Sequence, residues 1–552
     1  MRARAPALRR DSSAQAADYA AGAADHNRQV ADWLLSRTDQ PPAAQPRPSA
    51  LARGRAISAT AIPLAAILAV QAALSLRLMW SNTANEDEAL YLWAGHLEIA
   101  HWLHGTQIPL FPTYFSGAPV IYPVIGAVAD SLGGLAAARI LSLAFMLGAT
   151  WLLWAVTSRL YGRTAAYTAA ALWAVLGPTI RLGAFATYDA MALFLVALAT
   201  WCATAGRGRR DATSWMIAAG CVLALANATK YASALFDPVV IAVAILTGYP
   251  PGGKAAWRRG ALVFSCTTVL VMVLLEAGRG WYLTGVSQTT LTRPSSSTVA
   301  LVILLSSWDW IGVILVGGLI AVAIGLVSSE GVPARLLVIL LASAALLVPA
   351  EQARIHTYTA LSKHVDFGAW FAAVAVGYGA ERLARWARPR LGWVTLAAGL
   401  TGLLVPVAAA GAAQARGFYS WPNSSRLVVT LRGLVSPQDR ILVDNAPPLE
   451  YYLPGISWRQ WSSVYGITLP SGRRVAEHTN SLAPYRRALA AHYFQFVILD
   501  FTEKPELDSR IEAYLRQDSG YRFLCSVPTG LAGSGGRYVV WAYVRPGDGR
   551  HG

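Results

Sequence analysis

Hydrophobic runs of about 20 residues recur along the chain, and that is the length a helix needs to cross a hydrocarbon core of about 30 Å. With 55% hydrophobic and only 14% charged residues over 552 positions, the composition is far from that of a soluble domain, where about a quarter of residues are charged. The fold class follows: an α-helical polytopic membrane protein held in a lipid bilayer. A net charge of +16 would point to nucleic acid in a soluble protein. Here the arginines lie in short loops between apolar runs, which is the positive-inside pattern, so nucleic acid is not expected as a partner.

Residues 1–56 are rich in Ala, Arg, Asp and Pro with no sustained period, and read as a disordered cytoplasmic tail. The next run, residues 57–80, is longer than a signal-peptide core of about 7–15 residues and stays in place as a span. Placing the tail in the cytoplasm of a plasma-membrane protein assigns every later loop by alternation. Arg159, Arg163, Arg207, Arg209, Arg210, Arg258, Arg259, Arg335, Arg382 and Arg385 then fall inside, and about eleven spans result. The tract 298–328, interrupted by Trp308-Asp309-Trp310, reads as an interfacial helix followed by a span. After the transmembrane part, residues 57–414, polar residues return. Short apolar runs at 441–443, 496–499 and 538–544 read as strands, and 509–516 as a helix. Residues 415–552 are therefore expected to form an extracytoplasmic α/β domain of ordinary size.

The first outer loop, residues 81–131, begins with Asn85-Glu86-Asp87-Glu88. Carboxylates at a membrane edge lose solvation and raise the cost of insertion unless they have partners. A plainer account makes Asn85 a helix N-cap and the acids favourable to the helix dipole. Asp189 sits in another outer turn, where a helix cap is again the plainer account. Two acids brought to one membrane face from separate helix ends allow one to take a proton from a hydroxyl while the other orients the substrate or holds a metal.

Cations collect on the same side: Lys230, Arg139 within the second span, Arg354, His356, Lys363 and His364, with Arg279 and Arg293 in a further outer loop. They oppose the positive-inside bias, and a phosphate at membrane level would explain them, since Arg offers a bidentate fork and Lys a compact charge. Ion pairs of Arg354 with Glu351 and of Lys363 with Asp366 are the structural alternative. His101 and His104 share a helix face, but His96 is turned away and no HExxH pattern exists, so zinc is not expected there. A divalent metal ion on Asp87 or Glu88 is the one cofactor left open, because carboxylates and phosphate oxygens suit hard cations.

Asp87-Glu88-Ala89-Leu90-Tyr91 after the first span, Arg139 in Ala-Ala-Arg-Ile-Leu-Ser, Asp189 in Ala-Thr-Tyr-Asp-Ala-Met-Ala-Leu-Phe, Lys230 after the fifth span and the basic segment 354–364 together resemble the GT-C fold glycosyltransferases. Within that fold the match is to the protein O-mannosyltransferase and aminoarabinose-transferase-like group. The resemblance implies inverting transfer of a sugar from a polyprenyl-phosphate monosaccharide to a hydroxyl on a cell-envelope acceptor at the outer face. It implies a catalytic role for Asp87, with Glu88 as neighbour and Asp189 as second acid. Lys230, Arg139, Arg354, His356, Lys363 and His364 are then candidates for donor phosphate. A secondary transporter or lipid flippase, with charges marking a pathway, is the alternative from another class. A lipid-linked glycan polymerase or ligase is the nearer one.

Overall fold

The computed structural model describes residues 50–206, 212–248, 253–278, 280–291, 298–464, 466–468, 474–475, 481–517, 520–530 and 536–544. Most of the expected tail, and Arg207, Arg209, Arg210, Arg279 and Arg293, lie outside the described residues. Seven helices among those described are long and apolar enough to cross a membrane. They are Tyr122–Tyr161, Tyr188–Ala205, Ala212–Thr229, Lys254–Ala277, Ala300–Val327, Val332–Arg354 and Ala397–Gly417. The other expected spans coincide with shorter helical segments, Ala61–Leu76 and Tyr231–Leu246, with Arg163–Ala174, and with the first part of Leu361–Gly417.

Glycine sets the breaks. Gly392, at φ 72, divides Leu361–Gly417 into two helices, and Gly133-Gly134, with φ 66 at the second, kinks Tyr122–Tyr161. A left-handed residue interrupts the hydrogen-bond ladder, and glycine adopts that conformation without a Cβ penalty. The tract around Trp308-Asp309-Trp310 differs from expectation: Ala300–Val327 is one continuous helix. No glycine or proline interrupts it there, and Trp310 packs against Tyr358 and Phe418.

The two ends of the bundle differ in chemistry. At one end Arg159 donates to Thr204 Oγ1 at 2.9 Å, and buried Arg259 reaches the carbonyls of Ala203, Ala244 and Gly206 at 2.7, 2.9 and 3.0 Å. Those carbonyls are the unpaired C-terminal groups of two helices, so Arg259 caps both and complements their dipoles. Glu330 and Arg382 are ion-paired. Asp189 is at the opposite end of Tyr188–Ala205.

At that second end the loop after the helix Glu86–His104 is bound to the terminus of Ala212–Thr229. Ala118 N–H donates to Ala228 O at 2.8 Å and Tyr231 N–H to Ser116 O at 2.9 Å. A Cβ at Gly117 would collide with the Thr229 carbonyl, so only glycine permits the approach that fixes Lys230.

The same end carries a small three-layer domain. Its sheet has the order β2-β1-β5-β7-β6, from β1 (Ile441–Val443), β2 (Trp461–Ser463), β5 (Phe496–Leu499), β6 (Tyr521–Pro528) and β7 (Arg537–Tyr543). A separate antiparallel pair joins β3 (Ile467–Thr468) to β4 (Arg474–Val475). β1 runs parallel to both β2 and β5, whereas β7 is antiparallel to β5 and β6. Buried residues alternate along β1 and β5. Ile441, Val443, Phe496 and Ile498 face Leu427 and Leu431, while Leu442, Val497 and Leu499 face Leu489, Leu507 and Ile511. Strands covered by helices on both faces read as continuous apolar runs.

Candidate active site

The helix Glu86–His104 starts where the sequence places its N-cap. Asn85 accepts from Asp87 N–H at 3.1 Å, and Glu88 Oε2 accepts from Asn85 N–H at 3.0 Å, a capping box. The capping account of this segment thus holds for Glu88. Glu88 also receives Arg139 through a bidentate pair, Nε to Oε1 at 2.8 Å and Nη2 to Oε2 at 2.7 Å, and Ala186 N–H at 2.8 Å. The remaining Arg139 hydrogens go to the carbonyls of Met79, Asn82 and Thr83. A guanidinium has five N–H donors, and all five are taken. Both side chains are buried, so neither is placed to meet a substrate.

Asp87, one residue from Glu88, faces the other way. Its Oδ2 accepts from Lys363 Nζ at 2.5 Å and its Oδ1 from Tyr91 OH at 3.3 Å. Burial alone would raise this carboxyl, but the Lys363 ammonium, aided by Lys230, holds it below its ordinary value. Asp189, in the first turn of Tyr188–Ala205, is fully buried. Lys230 Nζ lies 2.7 Å from its Oδ1, Lys363 Nζ 3.7 Å from its Oδ2, and His364 Nε2 3.9 Å from its Oδ1. The actual N-cap there is Thr187. Gln352 Nε2 lies 3.1 Å from His364 Nδ1. Because the amide nitrogen is a donor, a neutral His364 carries its proton on Nε2, toward Asp189.

Lys363 and His364 reach this point because Ala360, at φ 60, turns the chain sharply into the helix that begins at Leu361. A non-glycine residue in that region costs roughly 1–2 kcal/mol, and such strain concentrates at functional sites. Lys363 pairs with Asp87 and Asp189, not with Asp366 as the sequence spacing allowed; Asp366 accepts from Thr179 Oγ1 at 2.8 Å.

These groups adjoin a cavity of about 800 Å³ lined by Asp87, Lys230, Lys363, His364, Tyr91 and Tyr188 among others. Arg354 and His356 are not in its lining. Arg354 is exposed and makes its own bidentate pair with Glu351, at 2.6 and 2.8 Å, while His356 Nδ1 is 3.3 Å from Thr298 O. The basic segment is thus divided, its second half inside and its first half at the surface. Arg181 joins the inner half unforeseen. Its Nη1 donates to Ser362 Oγ at 2.6 Å, and its guanidinium lies over Phe185 and Phe418. Its sequence position just before the Asp189 turn was the available signal.

Glu86 lines the same cavity. Enclosure there, together with the carboxylates of Asp87 and Glu503, pushes it up to about 8, against a hydrogen bond from Asn445. The histidines of the helix Glu86–His104 do other work. His101 Nδ1 pairs with Thr106 O at 2.8 Å past the helix end, and His96 Nε2 lies 2.7 Å from Asp130.

The donor set does not fit a resident divalent ion. Glu88 has both oxygens bound to Arg139, Asp87 and Asp189 are paired with ammonium groups, and no described group of three His, Cys, Asp or Glu side chains has the geometry for a metal.

Residues 119–277 match the family described as dolichyl-phosphate-mannose-protein mannosyltransferase. Among solved structures the chain is similar to ArnT from Cupriavidus metallidurans, in its apo state at 14% identity and TM-score 0.58 over 89% of this chain and 98% of that one. The same protein bound to undecaprenyl phosphate matches at 13% and 0.56 over 88% and 98%. The chain has the GT-C glycosyltransferase fold. A further GT-C relative is the archaeal oligosaccharyltransferase AglB from Archaeoglobus fulgidus, in complex with an inhibitory peptide and a dolichol-phosphate. It matches at 12% and 0.53 over 88% of this chain and 74% of that one. No curated protein sequence matches the chain.

Proposed function

We propose that the protein transfers a sugar, with inversion, from a polyprenyl-phosphate monosaccharide to a hydroxyl acceptor at the non-cytoplasmic face. The observation that carries this reading is a carboxylate and ammonium groups set side by side in one cavity. Asp87 presents a carboxylate directly against the Lys363 ammonium, and Lys230 and His364 stand in the same lining around buried Asp189. An alcohol is a weak nucleophile and gains from a carboxylate base, whereas a lipid phosphate leaves without protonation if fixed positive charge meets it.

Asp87 is the base. It takes the acceptor proton as the acceptor oxygen bonds to the anomeric carbon, and the carbon–phosphate-oxygen bond breaks with its electron pair going to phosphate. Lys363 and Lys230 receive that charge, and buried Asp189 is a positioning residue that keeps both ammonium groups at the cavity. An ammonium has three hydrogens, so Lys363 can hold Asp87 and still meet a phosphate oxygen. Glu88 and Arg139 act structurally, as the buried strut under the base.

The similarity to ArnT, solved with undecaprenyl phosphate, and to AglB, solved with a dolichol-phosphate, supports the lipid-phosphate donor. The arginines at the other end of the bundle support a cytoplasmic side there and an outer side for the cavity and the sheet domain, by the positive-inside bias. A cavity confined to one end of the bundle argues against a transporter, whose site must face both sides.

The test is binding of polyprenyl phosphate to the purified protein in nanodiscs. Wild type is expected to bind it, and Lys363→Met to weaken binding by about tenfold to a hundredfold, as losing a charge-assisted pair does. Equal binding by wild type and by Lys230→Met and Lys363→Met variants would remove these lysines from the donor site.

A further inference from the structure

The sheet domain places its own chemistry over the cavity. β1 leaves through the helix Pro447–Tyr452 to β2 on one side, while β5 leaves through Pro505–Gln517 toward β6 and β7 on the other. The carboxyl ends of the parallel strands β1 and β5 therefore diverge, and such a switch point is where open α/β sheets take ligands. Asp444 and Asn445 follow β1; Asp500, Phe501, Thr502 and Glu503 follow β5. Phe501 has φ 62, a backbone outlier of the kind that marks functional turns.

The crevice meets the membrane part of the site. Glu503 lines the same cavity as Glu86 and Asp87, and the Asn445 side chain hydrogen-bonds Glu86. The Asn445 Oδ1 atom is buried with no hydrogen-bond partner. The domain is pinned in this position: Ala84 N–H donates to Tyr452 OH at 2.9 Å, Tyr451 OH to Asp130 at 2.6 Å, and Trp458 Nε1–H to Gln107 O at 3.1 Å. The cavity thus has buried Lys230 and Lys363 within it, and exposed Glu86 and Glu503 at its edge.

Resting on the glycosyl-transfer reading above, we propose that this crevice is the acceptor subsite. Glu86, Asn445 and Glu503 hold an uncharged, hydroxyl-rich acceptor, a neutral glycan, with one hydroxyl delivered to Asp87. Carboxylate and amide oxygens accept from sugar hydroxyls, and exposed Tyr114 in the same lining offers a ring face. Glu503 and Asp87 present carboxylates to whatever enters the crevice, so a uronate- or phosphate-bearing acceptor is disfavoured.

The experiment uses the full-length protein in proteoliposomes with a panel of labelled polyprenyl-phosphate hexoses. Its acceptors are a neutral hexose trisaccharide, its uronate-containing counterpart and a Ser/Thr peptide. Wild type is expected to prefer the neutral trisaccharide. Glu503→Gln and Glu86→Gln should each raise the KM for that acceptor about tenfold while the donor KM stays within about twofold. Glu503→Lys should bring the uronate acceptor into use, a gain that misfolding cannot mimic. An unchanged acceptor KM in both Gln variants, equal use of the uronate acceptor by wild type, or transfer to the peptide in preference to the glycan would overturn the subsite. Failure of wild type to consume any donor would instead overturn the glycosyl-transfer reading, and the subsite with it.

Discussion

Lys363 donates to Asp87 at 2.5 Å across 276 residues of sequence. That bond ties the helix Glu86–His104 to a helix that begins far along the chain, and it places the proposed base beside the proposed phosphate-binding cation. Asp87 owes its lowered acidity range to this partner, since burial works in the opposite direction.

The pH dependence follows from that balance. With Lys363 present, Asp87 stays ionised down through its ordinary value of 3.8, and kcat/KM is expected to show no acid limb from this group above about pH 4. Lys363→Met leaves burial opposed by Lys230 alone, so the group titrates higher and an acid limb moves up into the measurable range. The pH profile of the residual activity checks this, and an unshifted limb would mean that Lys363 does not set the ionisation of Asp87.

Glu88 and Arg139 should behave as structure. Glu88→Gln leaves a buried guanidinium without its counter-charge, and breaking such a pair costs about 3–5 kcal/mol. The double replacement Glu88→Gln with Arg139→Met is expected to recover most of that loss. Thermal unfolding in detergent reads both values, and a fully stable but inactive Glu88→Gln would return Glu88 to the chemistry.

Gly117 is expected to matter through Lys230. A Cβ there meets the Thr229 carbonyl, and overpacking of this kind costs about 1–3 kcal/mol. Gly117→Ala should raise the KM for the donor more than that for the acceptor, because it displaces the residue next to Lys230. Steady-state kinetics with each substrate varied in turn measures the split.

The sheet domain should weaken as pH rises. Burial drives Asp444, Asp500 and Asp508 up to about 7, about 8 and about 6. The folded domain therefore holds protons that the unfolded chain releases near 3.8, and stability present below that value is lost as pH rises through about 8. Hydrogen exchange in residues 441–443 and 496–499, corrected for intrinsic rate, is expected to quicken over that window. Asp444→Asn should flatten the trend.

Much of this was legible in the sequence because it depends on length and period. Each of the eleven apolar runs corresponds to a helical segment, and 441–443, 496–499 and 538–544 are strand to within a residue or two. The order of Asp87, Arg139, Asp189, Lys230 and the basic segment 354–364 carried the resemblance to the GT-C fold. Partner choice was not legible. Nothing local distinguishes Glu88, sealed against Arg139, from its neighbour Asp87, which opens on the cavity; a helix of 3.6 residues per turn points adjacent residues about 100° apart. Likewise Arg354 stays at the surface while Lys363 turns inward, because the intervening Ala360 adopts a left-handed backbone that alanine does not announce. Asn445 and Glu503 were missed for a further reason: they reach the site only through the topology of the sheet.

The most direct measurement is transfer of label from a polyprenyl-phosphate hexose to cell-envelope acceptors by wild type and by Asp87→Asn, each verified as folded by its unfolding temperature. The account predicts transfer by wild type and a loss of about a hundredfold to ten-thousandfold in kcat for the variant, the range for removing a general base. Full activity in a folded Asp87→Asn would contradict it.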